Sequence, residues 1–156
     1  MAKSPAKKRP EAAAKVKVQY AALPWRRTED SRVEILVITS RETHRAVIPK
    51  GWPIKGLAPN MTAMREAYEE AGLEGYISMA PLGSYDYVKR MPKGREQDVR
   101  VDVYGMEVST EHVGFKEMNQ RSKMWVSQVL AAEMVDEPEL KALIAGFDPS
   151  RPPTQT

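Results

Sequence analysis

Three glutamates crowd one short segment, Glu66, Glu69 and Glu70 in MREAYEEAGL. On a helix Glu66 and Glu70 stand one turn apart on a common face, a like-charge spacing that costs an isolated helix about 0.2–0.5 kcal/mol. Glu69 and Glu70 also fall in the last turn, where the negative end of the macrodipole disfavours anions. Arg65 can pair with Glu69 and relieve part of this. A hard divalent cation such as Mg²⁺, which takes oxygen ligands, would turn the repulsion into attraction. An ordinary solvated acidic face is the alternative, and the segment alone leaves both open. The loop just upstream, PKGWPIKG, adds weight to the first. Gly51 permits close backbone approach, and Lys50 or Lys55 can meet phosphate as a point charge, with a solvated surface lysine the better reading for Lys55. Cations on phosphate oxygens, an in-line water and a base to take its proton are what hydrolysis of a phosphoanhydride needs.

Those side chains need a helix behind a loop. Pro59 and Asn60 mark its start, with Asn60 as N-cap, and Gly72 is the C′ glycine. Met64, Ala67, Tyr68 and Ala71 recur at helical spacing as the buried stripe, leaving Thr62, Arg65, Glu66, Glu69 and Glu70 on the opposite face. Upstream, Lys15 to Trp25 reads as a first strand, and Val33 to Thr39 (VEILVIT) as a strand buried on both faces. Ala46-Val47-Ile48 is a brief strand leading into Lys50 and Gly51. Downstream, Gly75 to Arg90 is strand material broken by Pro81 and Gly83. Asp98 to Val108 alternates Val99, Val101 and Val103 against polar residues, and should pair with the preceding strand across the turn at 91–95. Ser122 to Val126 offers a last strand. Ser127 can cap a helix over Gln128 to Met134, and Glu137-Pro138 opens another that ends near Gly146.

Composition narrows the partners. The chain has 156 residues, no cysteine, two histidines (His44 and His112) and a net charge of +3. That length suits one domain with a proper core. Thiolate zinc sites, disulfides and histidine-rich metal sites are excluded, and a cytoplasmic location is expected. No apolar run reaches the length of a membrane helix. The basic surplus sits in residues 1–15, which carry +4, whereas the remainder carries −1. A disordered basic tail (1–15), a folded domain (16–146) and a flexible tail (147–156) follow. Nucleic acid is not expected as a partner of the folded body, only as a loose contact of the basic tail.

The residues from Gly51 to Leu73 carry a resemblance. Gly51, Arg65, Glu66, Ala67, Glu69, Glu70, Gly72 and Leu73 match the spacing of the Nudix box, G-x5-E-x7-R-E-U-x-E-E-x-G-U, and Leu57 stands where the box has its first glutamate. The resemblance implies an α/β fold, a Nudix-type α/β/α sandwich with a mixed β-sheet. It also implies a Mg²⁺- or Mn²⁺-dependent pyrophosphohydrolase. Glu66 and Glu70, with the Gly51 carbonyl, would be the metal ligands. Glu69 would be the base, with Glu111 and Glu117 as candidates from a late loop, and Arg65 would be the box arginine that the missing acid normally braces. Short stretches around Ser40-Arg41, Pro49-Lys50-Gly51 and Glu69 to Gly75 look most like the diphosphoinositol polyphosphate and diadenosine polyphosphate hydrolase branch. The expected partner is therefore a phosphate-rich small molecule, met by Ser40, Arg41, Lys50, Arg27 and Lys89. Arg26, Arg45, Arg90, Lys93 and Arg95 are expected to converge on the same side. Two rivals stand beside this: a hydrolase of nucleoside diphosphates linked to another moiety, and a Nudix-fold module that binds polyphosphate or an RNA end without turnover.

Overall fold

The computed structural model describes residues 15–151. Two long strands form the middle of one mixed sheet: β1 (Lys17–Arg27) and β7 (Glu96–Glu111), which run parallel from Lys17↔Val99 to Trp25↔Glu107. Each has its outer edge shared end to end by two shorter antiparallel strands. On β1 these are β4 (Lys50–Gly51), opposite Tyr20 and Ala21, and β2 (Val33–Thr39), opposite Trp25 to Arg27. Pro24 falls between them. The Ala22 amide donates to Pro49 on this edge, so Pro24, two residues on, directs its missing N–H into the gap where β4 has ended and β2 has not begun. On β7 the edge is shared by β6 (Gly83–Arg90) and β5 (Leu73–Ile77), and the expected pairing across the 91–95 turn is present as Val88↔Asp98 through Gly83↔Val103. Strands β3 (Ala46–Val47) and β8 (Lys123–Ser127) complete the sheet on β2.

Alternation along the strands divides the core in two. Ala21, Leu23, Ile35, Val37, Val99, Val101 and Val103 face one side and pack against α2 (Gln128–Met134) and α3 (Pro138–Ala145) through Ala131, Leu140 and Ile144. Ala22, Leu36, Ile38, Tyr104 and Met106 face the other and meet α1 (Pro59–Ala71) through Ala63, Ala67 and Ala71. This is the expected α/β/α sandwich on a mixed sheet. Val33 to Thr39 is buried through its middle four residues, as its β-branched run requires. Ser127 caps α2 as expected, its Oγ accepting from the Leu130 amide at 3.1 Å.

Helix α1 corrects two expectations. Its N-cap is Ala58, with no side-chain cap, and Asn60 lies inside the first turn, where its Nδ2 donates to the Ser78 carbonyl at 3.1 Å. Its buried residues are Thr62, Ala63, Ala67, Glu70 and Ala71, whereas Tyr68 is 40% exposed. Small alanines face the sheet, and that turns Tyr68 outward, leaves Met64 partly buried against the same core, and carries Thr62 and Glu70 inward. Gly72 ends the helix as expected, at φ 72°, with its amide returning to Ala67 and Tyr68 carbonyls.

Residues 1–14 and 152–156, which hold nearly all of the first expected tail and half of the second, lie outside the described residues. The packed body extends to Phe147, whose ring meets Trp25 at 5.8 Å between centroids and whose carbonyl accepts from Gln128 Nε2 at 2.7 Å.

Candidate active site

Strand β4 delivers Gly51 directly against α1. A Cβ placed on Gly51 would overlap the Glu66 carboxylate, so only glycine lets that side chain lie flat on the backbone there. One turn on, Glu70 is 7% exposed, and its Oε1 accepts from the Lys50 amide at 3.3 Å. The two carboxyls stand one helical turn apart and both line the same cleft. Burial, then the negative charge of Glu66, pushes Glu70 up to about 8 against the pull of Arg121, and burial raises Glu66 as well. A cation between the two carboxyls would satisfy both groups. The donor set is two carboxylates and a backbone carbonyl beside solvent, and it fits a Mg²⁺-type ion that keeps several waters. Among the described residues no three acidic or imidazole groups are already gathered at ligating spacing, so such an ion would take its other ligands from water or substrate.

These groups lie at one side of a cleft of about 760 Å³. Its lining includes Ser40, Arg41, Arg45, Lys50, Lys89 and Arg90. The expected phosphate contacts Ser40, Arg41, Lys50 and Lys89 are therefore brought together. The Lys50 ammonium lies 5.1 Å from the Tyr87 ring centroid, and burial lowers it to about 8 against the attraction of Glu70 and Glu137. Arg41 reaches Gln120 at 3.0 Å.

Other expected positions are not assembled. Arg27 does not line the cleft: β1 continues two residues beyond Trp25 and carries Arg27 roughly 20 Å along the strand from the Gly51 pairing, at about 3.3 Å per residue. There its guanidinium donates to the Ser31 carbonyl. Arg26 is spent on Glu34 at 2.8 Å and on the Trp125 ring, and Lys93 and Arg95 stop short in the turn beyond Arg90. Glu69 faces Lys116 at 3.6 Å outside the cleft lining, and Glu111 is held by Trp125 and Lys123. Glu117 does line the cleft. Arg65 is exposed on the far side of α1, in a second groove with Leu57, Met61, Met64, Tyr68 and Tyr76.

The sequence reading missed Arg121. It is the residue that ties the site together: its Nη1 donates to the Thr39 carbonyl at 3.0 Å, its Nε to Glu117 at 2.8 Å, and its Nη2 lies 3.8 Å from Glu70. The loop that carries it is pinned to α1 by the Glu117 amide on the Glu69 carbonyl and by the His112 amide on the Gly72 carbonyl. The only available signal was its place two residues before a strand.

No family model matches the chain. Among curated proteins it is similar to two from Arabidopsis thaliana. Nudix hydrolase 13, mitochondrial, is 26% identical over 115 residues, covering 67% of this chain and 54% of the relative. Nudix hydrolase 16, mitochondrial, is 29% identical over 119 residues, covering 74% and 66%. The chain thus spans about half the length of the first of these relatives. Among solved structures it resembles the C. elegans Ap4A hydrolase, with a TM-score of 0.59, 18% identity and coverage of 84% of this chain and 95% of that one. It also resembles the NUDIX domain of Shewanella oneidensis NrtR complexed with ADP ribose, with a TM-score of 0.62, 14% identity and coverage of 89% and 92%. With the box residues of α1 set against Gly51 as described, the chain has the Nudix fold and is a distant homologue of the Nudix hydrolases.

Proposed function

We propose that the protein is a metal-dependent pyrophosphohydrolase that cleaves a phosphoanhydride in a phosphate-bearing small molecule by water attack on phosphorus. One observation carries this: half-buried Glu66 packed on side-chain-free Gly51 and buried Glu70 one helical turn on, both opening onto a cleft lined with lysine and arginine. Glu66, Glu70 and the Gly51 carbonyl would hold a Mg²⁺ or Mn²⁺ ion. When bound, that ion supplies charge neutralisation on phosphate oxygens and activation of water. The chain's own part is to receive the phosphates on Arg41, Lys50, Lys89 and Arg90, to fix the carboxylates through Arg121, and to accept the water's proton. Glu69 is the base that resemblance assigns, and Glu117 is the carboxylate that faces the cleft. Turnover in Glu69→Gln and Glu117→Gln decides between them.

The similar structures name two nucleotides, Ap4A in the name of the C. elegans hydrolase and ADP ribose as the molecule complexed with the NrtR domain. A chromatographic product screen with Mg²⁺ across diadenosine polyphosphates, diphosphoinositol polyphosphates, ADP-ribose and nucleoside triphosphates tests the proposal. Turnover of at least one anhydride, lost on chelation, is expected; none with any of them overturns it. A cytoplasmic location belongs to the same proposal and rests on the absence of cysteine. The Arabidopsis relatives are named mitochondrial, and imaging of a tagged chain separates the two.

A further inference from the structure

One arginine of the cleft is held from behind. Arg45 lines the cleft with its side chain 34% exposed, and its Nη1 donates to Glu137 Oε2 at 3.1 Å and to Asp136 at 3.3 Å. Both acids meet the same nitrogen. Among the described residues Nε and Nη2 have no acceptor, so the Nε–Nη2 edge remains a complete two-donor fork. The backbone is fixed as well. The Arg45 amide donates to Ser40 Oγ at 3.3 Å, the Ser40 amide donates to the Arg45 carbonyl at 2.9 Å, and Ala46 bridges Val135 just before the two acids.

Glu137 is 9% exposed, and among the described residues Arg45 is the only hydrogen-bond partner of its carboxylate, whose Oε1 is buried with none. A buried ion pair is a weak source of stability, since desolvation of both charges offsets their attraction. It does fix a direction. A free arginine side chain gives up rotamer freedom when it binds, whereas one already held has little left to lose. Neighbouring arginines of the cleft are placed differently. Arg121 is spent, with Nη1 on the Thr39 carbonyl and Nε on Glu117. Arg41 is exposed, with Nη1 on Gln120. Arg45 joins a fixed side chain to an open fork.

Resting on the phosphate-cleft reading above, we infer that Arg45 is a further phosphate-binding residue of the cleft and that Glu137 is its positioning residue. With Nη1 held by Glu137, Nε and Nη2 donate side by side to two oxygens of one phosphate. Asp136, exposed on the same nitrogen, adds little to the hold. Glu137 also lowers the positive field that a phosphate meets. Its contribution is orientation, and the two effects have opposite signs.

Calorimetric titration of the full chain with inorganic tripolyphosphate, without metal, tests this. Arg45→Lys keeps the charge and loses the fork, and should weaken binding at least about tenfold; a change below about threefold overturns the role of Arg45. Glu137 is tested by sign. Glu137→Ala removes a negative charge, which by field alone tightens any anion, but with the hold on Arg45 gone it should weaken tripolyphosphate at least about threefold. Glu137→Gln keeps an oxygen for Nη1 to donate to, and should bind at least as tightly as wild type. Tightening by Glu137→Ala, or equal weakening by both variants as a merely structural role would give, overturns the positioning role. Glu137→Asp, which draws the carboxyl back by one methylene, takes the place of alanine if that variant does not fold, with the same weakening expected. Wild-type protein that binds no tripolyphosphate overturns the inference, while the product screen reads the hydrolase proposal separately. Binding that depends on Arg45, with no anhydride turned over, would sink the hydrolase and leave this inference standing.

Discussion

The two sides of helix α1 make opposite use of the same thirteen residues. Toward β4, Glu66 and Glu70 are drawn into the protein against Gly51, raised in pKa, and countered by an arginine brought from fifty residues away. Toward solvent, Arg65 stands with Leu57, Met61 and Tyr68 and makes no ion pair among the described residues. The acid missing at position 57 therefore costs Arg65 its partner and leaves the carboxylates as they are. The inner carboxylates are countered by Arg121 from a distant loop, and the outer side of the helix is a groove lined largely by apolar residues.

Breaking the inner side should have the largest effect. Glu70→Gln should lower kcat/KM at least about 100-fold, as removal of a metal-holding carboxylate does; activity within a few-fold of wild type removes the assignment. Gly51→Ala pushes a methyl into the Glu66 carboxylate and should cost about 10- to 100-fold, since small displacements of reacting groups are that expensive. Steady-state kinetics with saturating Mg²⁺ read both. The third effect is on stability. Glu70 binds its proton up to about 8 in the fold but only to about 4.5 when unfolded, so the stability it contributes at low pH is lost as pH rises through that window. Lys50, held at about 8 against 10.5 unfolded, acts in reverse and restores stability above 8. The metal-free melting temperature should therefore pass through a minimum near pH 8, and Mg²⁺ should fill it in; a curve flat from pH 5 to 10 contradicts the burial of both groups. The smallest effects belong to the outer side. Arg65→Ala should stay within about threefold in kcat/KM, and Leu57→Glu, which returns a partner to Arg65, should stabilise by no more than about 1 kcal/mol. A loss above tenfold in Arg65→Ala would mean that the two sides are coupled after all.

What the sequence made legible is local. Val33 to Thr39, the Ser127 cap, the Pro138 start of α3 and the Gly72 stop each depend on residues a few positions apart, and each stands where the pattern put it. The facing of α1 was harder. Large apolar residues dominate a hydrophobic pattern, so Tyr68 outweighed Ala63 and Thr62, yet close packing on a sheet selects the small ones. Arg121 and Glu137 were not legible as site residues because their significance comes from partners 51 and 92 positions away, Glu70 and Arg45. Arg27 failed for the opposite reason: its strand ran on, and two more residues of β1 removed it from the cleft.

The parallel pairing of β1 with β7 has a consequence for how the molecule is made. Every contact in that central pair joins residues about eighty positions apart, from Lys17↔Val99 to Trp25↔Glu107, and such long loops close slowly. A ribosome must release nearly two thirds of the chain before the first strand can find its neighbour. Until then β1 and β2 wait with their apolar sides open, and the glutamates of α1 have no wall to be pressed against. Newly made chains should thus acquire protease resistance late and in one step, after Glu111 has left the exit tunnel.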